Sequence, residues 1–224
     1  MFAVVLAGGE NRRLPVTKGL IDIGGRRLIE SILDRLAAHF EGLAISTNEP
    51  EKYFYLGLPM IGDVYPVRGP MTGIFSALSW LAIKEDAKKN GQEKDAPEIS
   101  AFFAACDMPF VSAGLAARLY ETRTPGWEVL APVWNGRPEP LFSFYSARCL
   151  PLLEKSILSG EVSLQGLLLK ASVRLLEEDA VKEADPLGRS FVNVNTEDDL
   201  KRARQMFSSA LQDGGPACAR RGVF

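Results

Sequence analysis

Several short segments of this chain hold residues whose types and spacing suit phosphate chemistry. Residues 6–18 read LAGGENRRLPVTK and set Gly8 and Gly9 ahead of Arg12, Arg13 and Lys18. Glycines let a backbone approach a ligand and expose N–H groups, while arginine and lysine supply positive charge for a polyphosphate. The loop is no Walker A sequence, because no Gly-Lys-Ser/Thr ends it, and no GxGxxG dinucleotide fingerprint. Taken alone it is open to two readings, a phosphate cradle or a polar turn after a strand. Asp107, in AACDMPF, follows the most apolar run of the chain. A carboxylate there can serve a hard cation such as Mg²⁺, which one or two carboxylates commonly hold together with substrate phosphates. The structural alternative is a capping or turn aspartate ahead of Pro109.

The elements that must position these groups follow from hydrophobic periodicity. Apolar runs at 2–7, 43–48, 58–63 and 99–107 predict strands, and 26–40, 71–84 and 112–122 predict helices, with Ser112 as an N-cap. Strands alternating with helices imply a mostly parallel sheet covered on both faces, a single Rossmann-like three-layer α/β domain. In such sheets ligands bind outside the carboxyl ends of the strands. Gly8, Gly9, Arg12, Arg13, Lys18, Asn48, Asp63 and Asp107 all fall at or just after the carboxyl end of a predicted apolar run. So do Asn193 and Asn195, because 190–195 (SFVNVN) is also expected to be a short strand.

Beyond residue 126 the pattern loosens. Residues 127–146 predict two strands around the turn Asn135-Gly136, 147–158 and 163–170 predict helices, and 172–177 a strand. A last helix over 196–207 opens on Thr196, with Asp199 placed for a capping box. Residues 84–98 form a charged run expected to be a solvated surface loop, and 209–224 a frayed tail behind a single domain at 1–208.

Composition narrows the chemistry. With 46% hydrophobic and 24% charged residues in 224, the chain is a globular protein with a real core, and its net charge of −2 gives no reason to expect nucleic-acid or membrane binding. The N-terminus lacks a basic n-region and a long apolar run, so a cytoplasmic protein is expected. Cys106, Cys149 and Cys218 form no CxxC pair, and the lone histidine, His39, ends a helical segment. Carboxylates, amides, Lys and Arg must therefore run any reaction.

The ordered segments LAGGENRRLPVTKGL, STN, GD followed by RGPMTGI, ACDMPF, RPEPLFSFY and FVNVNTEDDL resemble the molybdenum cofactor guanylyltransferase family. This family lies within the nucleotidyltransferases that share a GT-A-like sheet. The resemblance runs from residue 3 to about residue 204. It implies transfer of GMP from GTP to the terminal phosphate of molybdopterin, with Mg²⁺ as cofactor and molybdenum-insertion and maturation proteins as partners. It also implies that Leu6, Ala7, Gly8 and Gly9 contact the guanine nucleotide, and that Arg13 and Lys18 neutralise its phosphates. Asn48 and Asp63 match positions that read base and ribose, Asp107 matches the Mg²⁺ ligand with Asn195 as a second ligand, and Asn193 and Asn195 match positions on the pterin side. Arg137 and Glu139 lie where the acceptor would approach. Two departures stand out: the family's usual Arg-Met-Gly is Arg13-Leu14-Pro15 here, and Thr17 replaces the acidic residue before Lys18. Rival readings are a cytidylyltransferase for the same cofactor, a sugar-phosphate nucleotidyltransferase, and a non-catalytic nucleotide-binding protein.

Overall fold

In strand β1 (Phe2–Leu6) consecutive residues Ala3, Val4 and Val5 are all fully buried, which requires packing on both faces. The computed structural model describes residues 1–8, 17–88 and 98–212 and supplies both layers. The strands are β1, β2 (Gly42–Ser46), β3 (Met60–Ile61), β4 (Ser100–Ala105), β5 (Val129–Trp134), β6 (Arg137–Pro138), β7 (Phe142–Ser146) and β8 (Val173–Leu176). The helices are α1 (Leu28–Leu36), α2 (Pro70–Lys88), α3 (Ala113–Glu121), α4 (Leu150–Leu158), α5 (Leu164–Leu168), α6 (Glu178–Ala184) and α7 (Glu197–Gln212).

The sheet runs β3-β2-β1-β4-β7-β5, with β8 also beside β5 and β6 paired to the end of β5. Pairing is parallel from β3 through β4 and antiparallel on both sides of β7, so β7 and β6 alone oppose the common direction. The expected mostly parallel α/β architecture is the one observed. Alternation along the strands splits the core into two layers. Ala3, Val5, Phe102 and Ala104 face α1, α3 and α6, while Val4, Leu6, Ala101 and Phe103 face α2, α4 and α5. On the first face Phe102 meets Phe142 edge-on at 4.8 Å and Phe144 at 5.2 Å, binding β4 to β7.

A third, smaller cluster lies apart from the sheet. Ile21, Ile23, Leu28, Phe110, Val194, Leu200 and Ala203 pack together and bring α7 against the segment ahead of α1. The start of α7 is fixed by the predicted reciprocal cap: Asp199 N donates to Thr196 Oγ1 at 3.2 Å and Thr196 N to Asp199 Oδ2 at 3.0 Å. Ser112 caps α3 as expected, accepting from Leu115 N at 3.2 Å.

Four expectations need correction. Residues 190–195 are no strand: a 3-10 turn spans Arg189–Phe191 and the chain then runs on unpaired within the sheet. Asp185 starts that turn, its carboxylate taking the Arg189 and Ser190 N–H groups at 3.0 and 2.7 Å, and the Phe191 and Val192 N–H groups then bond the Gly188 and Arg189 carbonyls at 3.0 and 3.1 Å, donors that a ladder would need. Helix α6 was not expected because EDAVKEA buries only Val181, too little for a periodic signal. The hairpin region holds a third short strand, β6, because Pro138 and Pro140 interrupt what looked like one strand. The charged run begins inside α2, which continues to Lys88; residues 89–97, like 213–224 at the C-terminus, lie outside the described residues.

Gly188 ties this terminal segment to the sheet. It has φ +59, and a Cβ there would fall inside the Trp134 ring, which stacks on Phe191 at 5.2 Å. Gly188→Ala is expected to lower the unfolding free energy by about 2–4 kcal/mol, from backbone strain and overpacking together. Urea denaturation checks this, and an unshifted midpoint would contradict the packing described.

Candidate active site

The carboxyl ends of β3, β2, β1 and β4 lie side by side, so Asp63, Asn48, Leu6–Gly8 and Asp107 occupy successive positions along one edge. At about 4.8 Å per strand the row is roughly 14 Å long. At β1, the Leu6 carbonyl accepts from Cys106 N at 3.0 Å and Ala7 N donates to the Ser46 carbonyl at 2.9 Å, so these two residues also serve the sheet. Gly8 is exposed and has open space where a Cβ would stand. Gly9, Arg12, Arg13 and Pro15 lie outside the described residues.

The chain returns to the edge at Thr17 and makes a 3-10 turn, Lys18–Leu20. Gly19 is buried there and packs so close to Tyr53 that a Cβ would come within 2.9 Å of its hydroxyl, so the position favours glycine. The next residues pair back on themselves, with Ile23 N on the Arg26 carbonyl at 2.7 Å and Leu28 N on the Ile21 carbonyl at 2.9 Å. Ile21, Ile23 and Leu28 then enter the third cluster, which fixes where Lys18 starts.

From that base the Lys18 side chain reaches two oxygen acceptors. Its Nζ donates to Asp107 Oδ2 at 2.9 Å and to Asn195 Oδ1. Asp107 is brought there by β4 and by a turn in which Met108 N donates to the Ala105 carbonyl at 3.2 Å. It caps no helix, because Ser112 holds that position on α3. Asn195 is brought in by one backbone bond, Val194 N to the Asp107 carbonyl at 2.9 Å, and by burial of Val194 in the third cluster. Asn193 is exposed, and among the described residues its amide donates to the Phe191 carbonyl at 3.5 Å and not to the Lys18 set. The structure therefore joins Lys18, Asp107 and Asn195 and leaves Asn193 out.

Two strands away, Asn48 and Asp63 bind each other through both ends of the amide. Asn48 Nδ2 donates to Asp63 Oδ2 at 2.7 Å, and Asp63 N donates to Asn48 Oδ1 at 2.8 Å. Burial raises the Asp63 carboxyl pKa, and the Asn48 hydrogen bond opposes the shift. On the other flank the register Phe142↔Ala104 places the residues before β7 at the same edge. There Glu139 is half-buried and its carboxyl pKa is raised by that burial, while Arg137 is exposed on the hairpin.

One cation near the edge went unnoticed in the sequence. Lys52 Nζ donates to Thr17 Oγ1 at 3.0 Å and pairs with Glu49. It sits four residues beyond Asn48 in a 3-10 turn, and only its place after a strand could have pointed to it. Other nucleophile chemistry finds little support among the described residues. Burial pushes the Cys106 and Cys149 thiols up to about 12, and the exposed His39 lies just ahead of the amino end of β2, the opposite edge of the sheet. No group of three or more His, Cys, Asp or Glu among the described residues could hold a metal by itself. Asp107 and Asn195 do direct two hard oxygens at one cation, a donor pair that suits Mg²⁺ when a ligand's phosphates complete its shell. No helix among the described residues is long and apolar enough to cross a membrane.

Comparison with known proteins places the sequence and the fold in one family. A family model described as a MobA-like NTP transferase domain matches residues 3–176, from β1 to the end of β8. A molybdenum cofactor guanylyltransferase from Cereibacter sphaeroides is 30% identical over 208 residues, spanning 92% of this chain and 96% of its own. One of the same name from Desulfosudis oleivorans is 28% identical over 201 residues, spanning 89% and 92%. The crystal structure of molybdopterin-guanine dinucleotide biosynthesis protein A from Archaeoglobus fulgidus superposes with a TM-score of 0.77 at 28% identity, covering 93% of this chain and 100% of that one. A sheet whose carboxyl edge gathers cation and acceptor oxygens, and a family match across most of the chain, lead to one conclusion: the chain belongs to the MobA-like NTP transferase family and is a nucleotidyltransferase.

Proposed function

We propose that this protein transfers GMP from GTP to the terminal phosphate of molybdopterin, giving the guanine dinucleotide form and pyrophosphate, with Mg²⁺ as cofactor. The observation that carries the reading is the meeting of Lys18, Asp107 and Asn195 at the carboxyl ends of β1 and β4. The names of the relatives supply the substrates: two full-length matches are molybdenum cofactor guanylyltransferases.

In the proposed reaction an oxygen of the acceptor phosphate attacks the α-phosphorus of GTP. The bond from that phosphorus to the bridging oxygen breaks in line, and pyrophosphate leaves with the electron pair. The attacking phosphate is already anionic at neutral pH, so no general base is needed. A chain whose one histidine lies at the opposite edge fits that requirement. What the protein must provide is alignment and charge compensation. Lys18 and Arg13 compensate the triphosphate, Gly9 adds a backbone contact, and the row from Asp63 and Asn48 through Leu6, Ala7 and Gly8 lays base, ribose and phosphates along the edge. Asp107 and Asn195 would hold Mg²⁺, which lowers the charge on the reacting phosphates. Asn193, which bonds the Phe191 carbonyl outside this set, is assigned to the pterin side.

Two measurements test the proposal. Asp107→Ala is expected to reduce Mg²⁺-dependent pyrophosphate release from GTP and molybdopterin by at least about 100-fold with the fold intact, as loss of a preorganised charge-stabilising group does. Near-parental turnover would remove Asp107 from the mechanism. Product formation compared across GTP, CTP, ATP and UTP is expected to favour GTP by more than about tenfold, the scale set by a few base contacts. Preference for CTP would replace the guanylyl assignment with the cytidylyl one, and nucleotide affinity without product would leave a binding protein.

A further inference from the structure

The Lys18 ammonium stands between the same two oxygens assigned above to the metal. It reaches Asp107 Oδ2 across 89 residues of sequence and Asn195 Oδ1 across 177. We propose that Lys18 is a resident stand-in for the divalent cation: without nucleotide its ammonium closes the Asp107–Asn195 cradle, and a triphosphate draws it out, so that metal and nucleotide enter together. This rests on the reading of Asp107 and Asn195 as metal donors.

Two positive charges cannot share the cradle. A cation coordinated at about 2.1 Å from an oxygen would lie within a few ångströms of an ammonium bonded to that same oxygen, at a distance where like charges repel strongly even in a polar surrounding. Entry of the metal therefore requires exit of Nζ. The exit is a side-chain movement, because the backbone is held: Leu20 N bonds the Thr17 carbonyl at 2.9 Å, Ile21 N bonds the Lys18 carbonyl at 3.1 Å, and Gly19 is packed under Tyr53. The lysine side chain is 27% exposed against 15% for Asp107, so solvent lies on the side of the lysine rather than behind the carboxylate. Metal arriving alone must break the ion pair and gains two protein oxygens. Metal arriving with a triphosphate brings new anionic partners for the ammonium as well. The two ligands are thereby coupled, each raising the affinity for the other. Lys52 provides a contrast: it bonds Thr17, the residue next to Lys18, and touches neither cradle oxygen.

The test is Mn²⁺ binding to the full chain without nucleotide, read from loss of the free-ion EPR signal. Lys18→Met is expected to bind Mn²⁺ at least about tenfold more tightly than the parent, the factor by which occlusion of a site nine times in ten lowers apparent affinity. The gain should vanish when Asp107→Asn is added, and Lys52→Met, which removes a neighbouring charge outside the cradle, should reproduce less than about a quarter of it on the same scale. Unchanged or weaker binding by Lys18→Met overturns the proposal, as does an equal gain in Lys52→Met. Should Lys18→Met not fold, the parent protein still decides the matter. Saturating Mn²⁺ is expected to raise acylation of the Lys18 amine several-fold by peptide mass spectrometry, and an unchanged rate overturns the proposal. Mn²⁺ binding insensitive to Asp107→Asn in every protein overturns the metal reading and the exchange together. Absence of pyrophosphate release from GTP and molybdopterin, with the Mn²⁺ results as expected, fails the transfer reading alone.

Discussion

The third apolar cluster, small and remote from the sheet's own core, holds the ends of three distant segments at one point. Lys18 precedes Ile21 and Ile23, Asp107 precedes Phe110, and Asn195 follows Val194, and these four apolar residues share the cluster with Leu28, Leu200 and Ala203. Each buried aliphatic or aromatic side chain of this kind contributes roughly 1.5–3 kcal/mol. Polar contact alone could not substitute. An ion pair that is partly open to water is worth about 1 kcal/mol or less and fixes no backbone. The hydrophobic contacts set the positions, and the ammonium with its two oxygens reports that they are set well.

The parallel part of the sheet acts as a ruler for the remaining groups. Register Leu6↔Ser46 and Leu6↔Ala105 ends β2, β1 and β4 at one level, so the residue after each strand emerges on one line. Backbone donors and acceptors run out at that line, which is why polar side chains such as Asn48 and Asp63 satisfy each other there. β7 runs the other way, so its beginning rather than its end reaches the edge, and Glu139 arrives by that route. The opposite edge carries His39 and the start of β1, and no set of cation and acceptor oxygens like that around Asp107 is found there among the described residues.

Much of this was legible because it depends on local pattern. Strands buried on both faces, the caps Ser112 and Thr196, and the rule that ligand groups follow strands together picked out Lys18, Asn48, Asp63 and Asp107. Asn195 was selected by a wrong intermediate, a strand that does not exist. The segment carries β-branched residues at alternate positions, but Asp185 takes the Ser190 N–H, the next two N–H groups close turns on Gly188 and Arg189, and Val194 packs against α7. The same alternation makes Asn193 and Asn195, two residues apart, look equivalent, and they are not, because the segment forms no strand and Asn193 bonds the Phe191 carbonyl instead. Lys52 escaped notice because its role depends on a tertiary contact with Thr17, which no spacing along the chain encodes.

That contact bears on the departure at position 17. An acidic residue there would offer a third acceptor beside two lysines and compete with Asp107 for the Lys18 ammonium. Threonine keeps an oxygen for Lys52 yet adds no charge, so Lys18 is committed to Asp107 and Asn195. The Asp107 side chain is mostly buried, and an unpaired carboxylate in such a place is costly, so the lysine also stabilises the edge before any ligand arrives. The loss of one acidic group thus sharpens the division of labour between the two lysines: Lys52 fastens Thr17, and Lys18 guards the Asp107 and Asn195 oxygens.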